Sequence, residues 1–395
     1  MPSEFHRELQ GELESGLRAE ESRKQRRTLA EIRGVNFCSN DYLGLAENPT
    51  LHAAVVQAVS DSPRVGGTGS RLLSGHAAAW SEMEEEFARF AGSEAALYFG
   101  SGYAANMGLL TSLLEKQAIV FSDALNHASL IDGMRLSGAR KVIYGHLDLN
   151  ALEAALRAQQ HESSRKVIVT ETVFSMNGDV APVAELLALA ERYGAGLIVD
   201  EAHATAVHGP RGSGIAAAAG AGITANLAAI VHTCSKALAS AGAFVCGSAA
   251  LREHLIHHAR TFIFSTAMPP YMAGQIRAAL RLALEMDAQR EELRVRAQRL
   301  SAALQADGWD TAGSTTQIVP AILGSNEDTL AAAEFLQREG FAVRAIRPPT
   351  VPAGAARLRF SLTCAIAPAE LTRLESVLAA WRAERPLHAA AGCGA

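Results

Sequence analysis

At 395 residues with 49% hydrophobic content, the chain exceeds the roughly 250–300 residues at which single cores stop growing, so two domains are expected. A formal charge of −5 and a pI near 6.2 argue against a nucleic-acid or anionic-membrane partner. Five scattered cysteines without CxxC spacing point to a reducing compartment, with no disulfide framework and no metal site. No apolar run reaches ~18 residues, so a cytoplasmic protein without signal peptide or membrane span is expected.

Leu9, Leu13 and Leu17 recur at helical spacing within the charged stretch 5–31, which predicts an amphipathic helix that needs a surface to lie on. The basic run 23–27 follows Glu20 and Glu21 and reads as a solvated face. From Val35 a strand enters the Asn40-Asp41 turn, whose side chains either bond nearby backbone or meet a ligand. Gly66, Gly67 and Gly69 form a glycine-rich loop open to close backbone approach. No Gly-Lys-Ser/Thr follows, so it is not a triphosphate loop.

A predicted strand at 95–99 leads through Gly100-Ser101-Gly102-Tyr103 into a helix over 104–114. That arrangement either aims backbone N–H groups at a phosphate or merely packs a helix. Further strands are expected at 118–121, 166–170, 197–200, 227–231 and 242–246, with a helix over 183–193. Alternation of this kind builds βαβ units and a mostly parallel sheet with right-handed crossovers. His127, Asp200, His203, Thr233 and Lys236 all fall at or just past the carboxyl ends of these strands, the edge where open α/β sheets bind ligands. Taken singly, a lysine is usually a solvated charge and a histidine a structural residue; their order and spacing point to a charged, planar cofactor.

After Pro269-Pro270 a long helix is expected from Tyr271 to about Asp307, and the domain boundary is placed near its start. Strands near 318–323, 341–346 and 357–362 and a helix over 330–339 complete a smaller α+β domain. The expected division is an arm over 1–45, a large domain over 46–270 and a small one over 271–395, whose last segment, 388–395, is polar enough to fray.

A lysine amine, a strand-end carboxylate, an imidazole able to stack on a ring and a Gly-x-Gly cradle are what pyridoxal 5'-phosphate requires. The amine forms a Schiff base, the carboxylate keeps the pyridine nitrogen protonated, and helix N–H groups hold the phosphate. A lysine partly withdrawn from water can also serve as an amine base.

Motifs along nearly the whole chain carry a resemblance: NFCSNDYLGL at 36–45, GGTGSRLLSG at 66–75, SGYAAN at 101–106, LNHASL at 125–130, ETVFSMNGD at 171–179, VDEAHATAVHG at 199–209, HTCSK at 232–236, FSTAMPP at 264–270 and RPPTVPAGAARLRFSL at 347–362. Through them the chain resembles the α-oxoamine synthases of the fold-type I pyridoxal-phosphate enzymes. The resemblance implies a large domain with a mostly parallel seven-stranded sheet and a smaller α+β C-terminal domain. It also implies that Lys236 is the Schiff-base lysine, Asp200 the partner of the ring nitrogen and His127 the residue stacked on the ring. His203 and Ser175 then meet the phenolic oxygen, and Gly102, Tyr103 and Thr233 the phosphate. Family members are homodimers with sites at the interface, where Ser265 and Thr266 would reach the other subunit's phosphate. On the substrate side, Arg359 matches the arginine that grips the amino-acid carboxylate, while Asn40, Arg347, Thr350 and Arg23 resemble substrate-lining positions.

The motifs are most similar to those of the family's members in biotin synthesis, which implies L-alanine and a pimeloyl thioester as substrates of a decarboxylative condensation. Alternatives are another α-oxoamine synthase, such as a glycine C-acetyltransferase, or a non-catalytic cofactor-binding regulatory module. Three features depart from the family pattern: Trp80 stands where relatives carry His, Asn177 where Asp is common, and Ala-Leu-Ala-Ser-Ala-Gly after Lys236 is poor in glycine.

Overall fold

The computed structural model describes residues 3–220 and 226–385; the segment 388–395 and Cys393 lie outside the described residues. The chain divides into two compact units. The smaller comprises Met1–Ser39, Met176–Gly178 and Arg294–Ala395, the larger Asn40–Ser175 and Asp179–Leu293. In the smaller unit a helix, Glu4–Ser22, is capped by the Ser3 hydroxyl and buries none of its residues. Its apolar stripe of Phe5, Leu9, Leu13 and Leu17 is exposed. A two-residue strand follows, β1 (Val35–Asn36).

The larger unit holds seven strands: β2 (Ala95–Phe99), β3 (Ile119–Asp123), β4 (Arg140–Tyr144), β5 (Lys166–Glu171), β6 (Ala195–Asp200), β7 (Leu227–Thr233) and β8 (Ala243–Gly247). Their order is β2-β8-β7-β6-β5-β3-β4. Neighbours from β7 to β4 are parallel, and β8 alone runs antiparallel to both its neighbours. This is the mostly parallel seven-stranded sheet that the family resemblance implies. Strands covered on both faces read as unbroken apolar runs, as in β3 and β5, where every residue is buried. Strand β4 went unpredicted because its first four residues, Arg140 to Ile143, are not buried and give no such run. After β4 the chain returns beside β3 and continues through β5, β6 and β7. The order therefore reverses between β3 and β5, and the carboxyl ends there form the crevice in which open α/β sheets bind ligands.

The single long helix expected from Tyr271 is two helices, Tyr271–Leu284 and Asp287–Ala306. Buried Arg290 accounts for the break: its Nη1 donates to Ala283 O at 2.7 Å and Ala206 O at 3.2 Å, and its Nη2 meets Asp287 at 2.5 Å. A guanidinium on the last carbonyls of the first helix satisfies groups a continuing helix would have used. Pro269 and Pro270 thus mark a helix start, and the chain passes from one unit to the other inside the second helix, between Leu293 and Arg294.

In the smaller unit β9 (Ile318–Gly324), β10 (Phe341–Ala342), β11 (Ala345–Ile346) and β12 (Ala356–Ser361) make an antiparallel sheet of order β11-β12-β9 and a parallel pair, β1-β10. The strand expected over 341–346 is therefore two, in different sheets; exposed Arg344 between them donates to Ala30 O at 3.2 Å. Phe37 stands edge-on to both Phe341 and Phe360, with centroids 6.0 and 5.9 Å apart, a favoured aromatic geometry.

Candidate active site

Asp200 ends β6 and is the register partner of Glu171, which ends β5. Asp200 Oδ1 accepts Ala202 N–H at 2.8 Å and Oδ2 accepts Asn106 Nδ2 at 2.6 Å. Asn106 lies on the helix Gly102–Leu113, which the Ser101 hydroxyl caps by accepting Ala104 N–H. Four residues past Gly102, Asn106 shares its helix face and also donates to Ser129 Oγ at 2.9 Å. The His127 imidazole is itself a helix cap: Nδ1 accepts Ser129 N–H at 3.2 Å and lies 2.8 Å from Ser129 Oγ. Because Asn106 donates to that hydroxyl, the hydroxyl donates onward to Nδ1, and the neutral ring carries its proton on Nε2. Neutral groups thus tie Asp200 to His127, whose pKa is lowered by withdrawal from water against the pull of Asp200.

Glu171 is 3% exposed and accepts the backbone N–H groups of His127 and Ser175, while its Oε1 has no hydrogen-bond partner. Burial, reinforced by the Asp200 charge, pushes its pKa up to about 8. Adjacent carboxylates resist ionising together, so the Asp200 charge favours the protonated form of Glu171. Glu201, fully buried, accepts Ile215 and Ala216 N–H at 3.0 and 2.7 Å, and burial raises it to about 7.

Half-buried Lys236 follows β7, with Nζ 3.0 Å from His203 Nε2. His203 Nδ1 lies 2.6 Å from the buried Tyr42 hydroxyl, which donates to Asn40 Oδ1 at 3.1 Å. With that proton committed, the phenol oxygen accepts from Nδ1–H, and the Nε2 lone pair faces the lysine amine. At the end of β7, Thr233 Oγ1 stands 3.0 Å from Ser235 Oγ and 3.2 Å from Gly242 O. Gly102 packs against it, and a Cβ there would come 3.5 Å from Thr233 Oγ1. Tyr103 turns its hydroxyl to Asp132 and sets its ring edge-on to His127.

The glycine-rich loop meets the segment of Ser265 and Thr266 backbone to backbone. Ser70 bridges Thr266, and Ala267 N–H donates to Gly69 O at 2.9 Å. A Cβ on Gly67 would fall 2.0 Å from Ala267 O, so only glycine fits there. Ser265 and Thr266 themselves are exposed.

In the smaller unit the segment 23–27 gathers three of the expected residues. Arg347 Nη1 donates to Lys24 O, Arg27 Nη2 to Thr350 Oγ1 at 3.4 Å, and Asn326 Nδ2 to Arg23 O at 3.0 Å. Arg23 is exposed and pairs with Glu20. Arg359, on β12, is 8% exposed and donates to Ser361 Oγ at 2.6 Å.

Two of the three departures have local explanations. Trp80 stacks on Tyr98 with centroids 4.1 Å apart and donates to Met268 O at 3.3 Å. Asn177 Oδ1 accepts from Arg357 Nη1. Sequence reasoning missed Tyr42, Asn106, Ser129 and Glu171, although Asn106 sits one helical turn beyond Gly102 and Glu171 closes a strand as Asp200 does. Among the described residues no group of three or more His, Cys, Asp or Glu side chains is arranged to hold a metal ion.

The sequence profile of the aminotransferase class I and II family matches residues 32–378. An 8-amino-7-oxononanoate synthase from Burkholderia vietnamiensis (strain G4 / LMG 22486) is 49% identical over 352 residues, covering 88% of this chain and 86% of its own. Among solved structures, a serine palmitoyltransferase variant from S. paucimobilis with a bound PLP–myriocin aldimine matches with a TM-score of 0.85 at 28% identity, over 93% of this chain and 96% of its own. An 8-amino-7-oxononanoate synthase from Francisella tularensis matches with a TM-score of 0.76 at 26% identity, over 89% and 98%.

Proposed function

This chain belongs to the aminotransferase class I and II family and, within it, stands with the 8-amino-7-oxononanoate synthases, PLP-dependent acyltransferases of biotin synthesis, and on that premise we propose that it condenses L-alanine with a pimeloyl thioester. The products are 8-amino-7-oxononanoate, carbon dioxide and the free thiol. The observation that carries the proposal is the convergence, at the sheet's carboxyl edge, of a lysine amine facing an imidazole lone pair and a carboxylate held only by neutral donors.

These residues suit pyridoxal 5'-phosphate. The Asp200 carboxylate, beside a Glu171 whose pKa burial raises, would favour a protonated ring nitrogen. The first N–H groups of the helix Gly102–Leu113 have no acceptor within the helix and, with Thr233, suit a phosphate. When bound, the cofactor supplies an aldehyde that captures an amine and a ring that draws electrons from the amino acid's Cα.

Lys236 would hold the cofactor, and His127 would cover its ring. His203 and Ser175 would meet the phenolic oxygen. Arg359 would bind alanine's carboxylate through its planar guanidinium, with Asn40, Arg347, Thr350 and Arg23 lining the substrate's path. Lys236 would also remove the Cα proton of alanine, with the His203 lone pair available to the amine, and would return a proton to that carbon. In the proposed homodimer Ser265 and Thr266 reach the other copy's phosphate. A cytoplasmic location is part of the proposal, supported by four cysteines that form no disulfide among the described residues; no described helix is long and apolar enough to cross a membrane.

The test is thiol and carbon dioxide release by the reconstituted protein with alanine, glycine or serine against a panel of acyl-CoAs. Turnover is expected with alanine and pimeloyl-CoA. Preference for glycine with acetyl-CoA would move the assignment to a sibling, and failure to take up pyridoxal phosphate would defeat it.

A further inference from the structure

We propose that His146 is a positioning residue, an imidazolium clamp that fixes the turn carrying Ser175 against the end of β3, from which His127 follows. The proposal deepens the synthase reading and rests on it. His146 lies two residues past β4, outside every motif of the sequence. Its Nδ1 is 2.8 Å from Asp123 Oδ1 and its Nε2 is 2.7 Å from Asp179 Oδ2. Asp123 is the last residue of β3, and its carboxylate also accepts Leu125 and Leu147 N–H at 2.8 and 2.9 Å. Asp179 accepts Phe174 N–H on its backbone carbonyl at 3.0 Å, and Val173 bridges Val180 beside it. The Phe174 ring stands perpendicular to the imidazole, centroids 4.4 Å apart.

Protonation follows from this geometry. A neutral imidazole has one N–H and one lone pair, so a neutral His146 would aim its lone pair at a carboxylate oxygen. Only the doubly protonated ring donates to both. The charged groups facing it are Asp123 from β3 and Asp179 from the turn; Phe174 offers an uncharged edge. Burial opposes the charge, but the hydrogen bonds to the two carboxylates outweigh it and push the pKa up to about 9.

The function follows from what the two carboxylates carry. Asp123 begins the turn that leads to Asn126 and His127, and Leu125 N–H folds back onto its carboxylate. Asp179 closes the bridge from which Ser175 projects, and the Ser175 N–H donates to Glu171 beside Asp200. One cation thus sets the spacing of the ring-stacking histidine and the phenolic-oxygen serine without touching cofactor or substrate. A displacement of about 1 Å at such groups costs up to ~100-fold in rate.

The test has two arms. In the wild-type holoenzyme, imidazole nitrogen NMR should find both His146 nitrogens protonated through neutral pH and the first proton lost far above the free-imidazole range of ~6.5. His146→Gln keeps one donor and no charge. It should weaken pyridoxal phosphate binding and lower kcat by ~10–100-fold, and speed hydrogen exchange at the Phe174 amide. His146→Lys, a cation with several donors, should recover most of the loss. A wild-type ring titrating near 6.5 would overturn the proposal, as would His146→Lys no better than His146→Gln. If His146→Gln fails to fold, the wild-type titration and Asp179→Asn, which should lower the His146 pKa and loosen the Phe174 amide, decide the question. A wild type that binds pyridoxal phosphate but ignores alanine and pimeloyl-CoA would sink the synthase reading and leave the clamp to be judged by the titration and cofactor affinity.

Discussion

Two pairs of carboxylates stand near the ends of strands in the larger unit, and they are neutralised in opposite ways. Asp123 and Asp179 share one imidazolium that donates to both. Glu171 and Asp200 sit side by side with amide and backbone donors only, so burial and the neighbouring charge raise the Glu171 pKa. In the first pair a cation bonds both carboxylates directly and holds chain segments together. The second keeps an anion at the crevice where the strand order reverses, able to stabilise a cationic ring nitrogen. How a buried carboxylate is neutralised therefore separates scaffold from site here more clearly than its burial does.

Removing the amine near the second pair should have the largest effect. Lys236→Ala is expected to lose at least ~10⁴-fold in kcat, because no other group placed at the site combines nucleophile and base. Steady-state thiol release with alanine and pimeloyl-CoA measures it, and full turnover would break the mechanism. Asp200→Asn should cost ~10²–10³-fold in kcat by removing the charge proposed to face the ring nitrogen. It should also lower the Glu171 pKa, read by carboxyl NMR. If Glu171 does not move, the two carboxylates do not share a charge and the contrast fails.

Tyr42→Phe tests the relay on the other side of the site. Loss of the hydroxyl leaves His203 Nδ1–H without its acceptor, and about a 10-fold drop in kcat with a shifted pH–rate profile is expected. An unmoved profile would make the relay a passive packing feature.

The smallest effect is on stability. The His146 pKa is raised on folding, so its contribution is complete below ~6.5 and is lost as pH rises through about 9. It amounts to on the order of 2 kcal/mol after allowance for screening at its exposed edge. Glu171 acts in the same sense between its ordinary range and about 8. Thermal unfolding at pH 6 and pH 10 should show the loss, and Asp179→Asn should flatten it; equal melting temperatures would remove the clamp's cation.

Much of the larger unit was legible because a parallel sheet covered on both faces needs long apolar runs, and residues such as Ile119–Val120 and Ile230–Val231 supply them. The break at 285–286 was not, because the residue that ends the first helix is Arg290, which acts backwards through space on Ala283. The strand expected over 341–346 failed for a related reason: its two halves pair with β1 and β12, partners remote in sequence.

By itself the sequence determined the alternating architecture and placed Lys236, Asp200, His203 and His127 at or past the ends of readable strands. Only the tertiary structure decided which of them communicate and in what protonation state. Tyr42 lies 161 positions from His203 and Asn106 94 positions from Asp200, so no spacing along the chain announces either contact. Charge and proton position depend on distance and on exclusion of water, and both exist only once the strands are side by side.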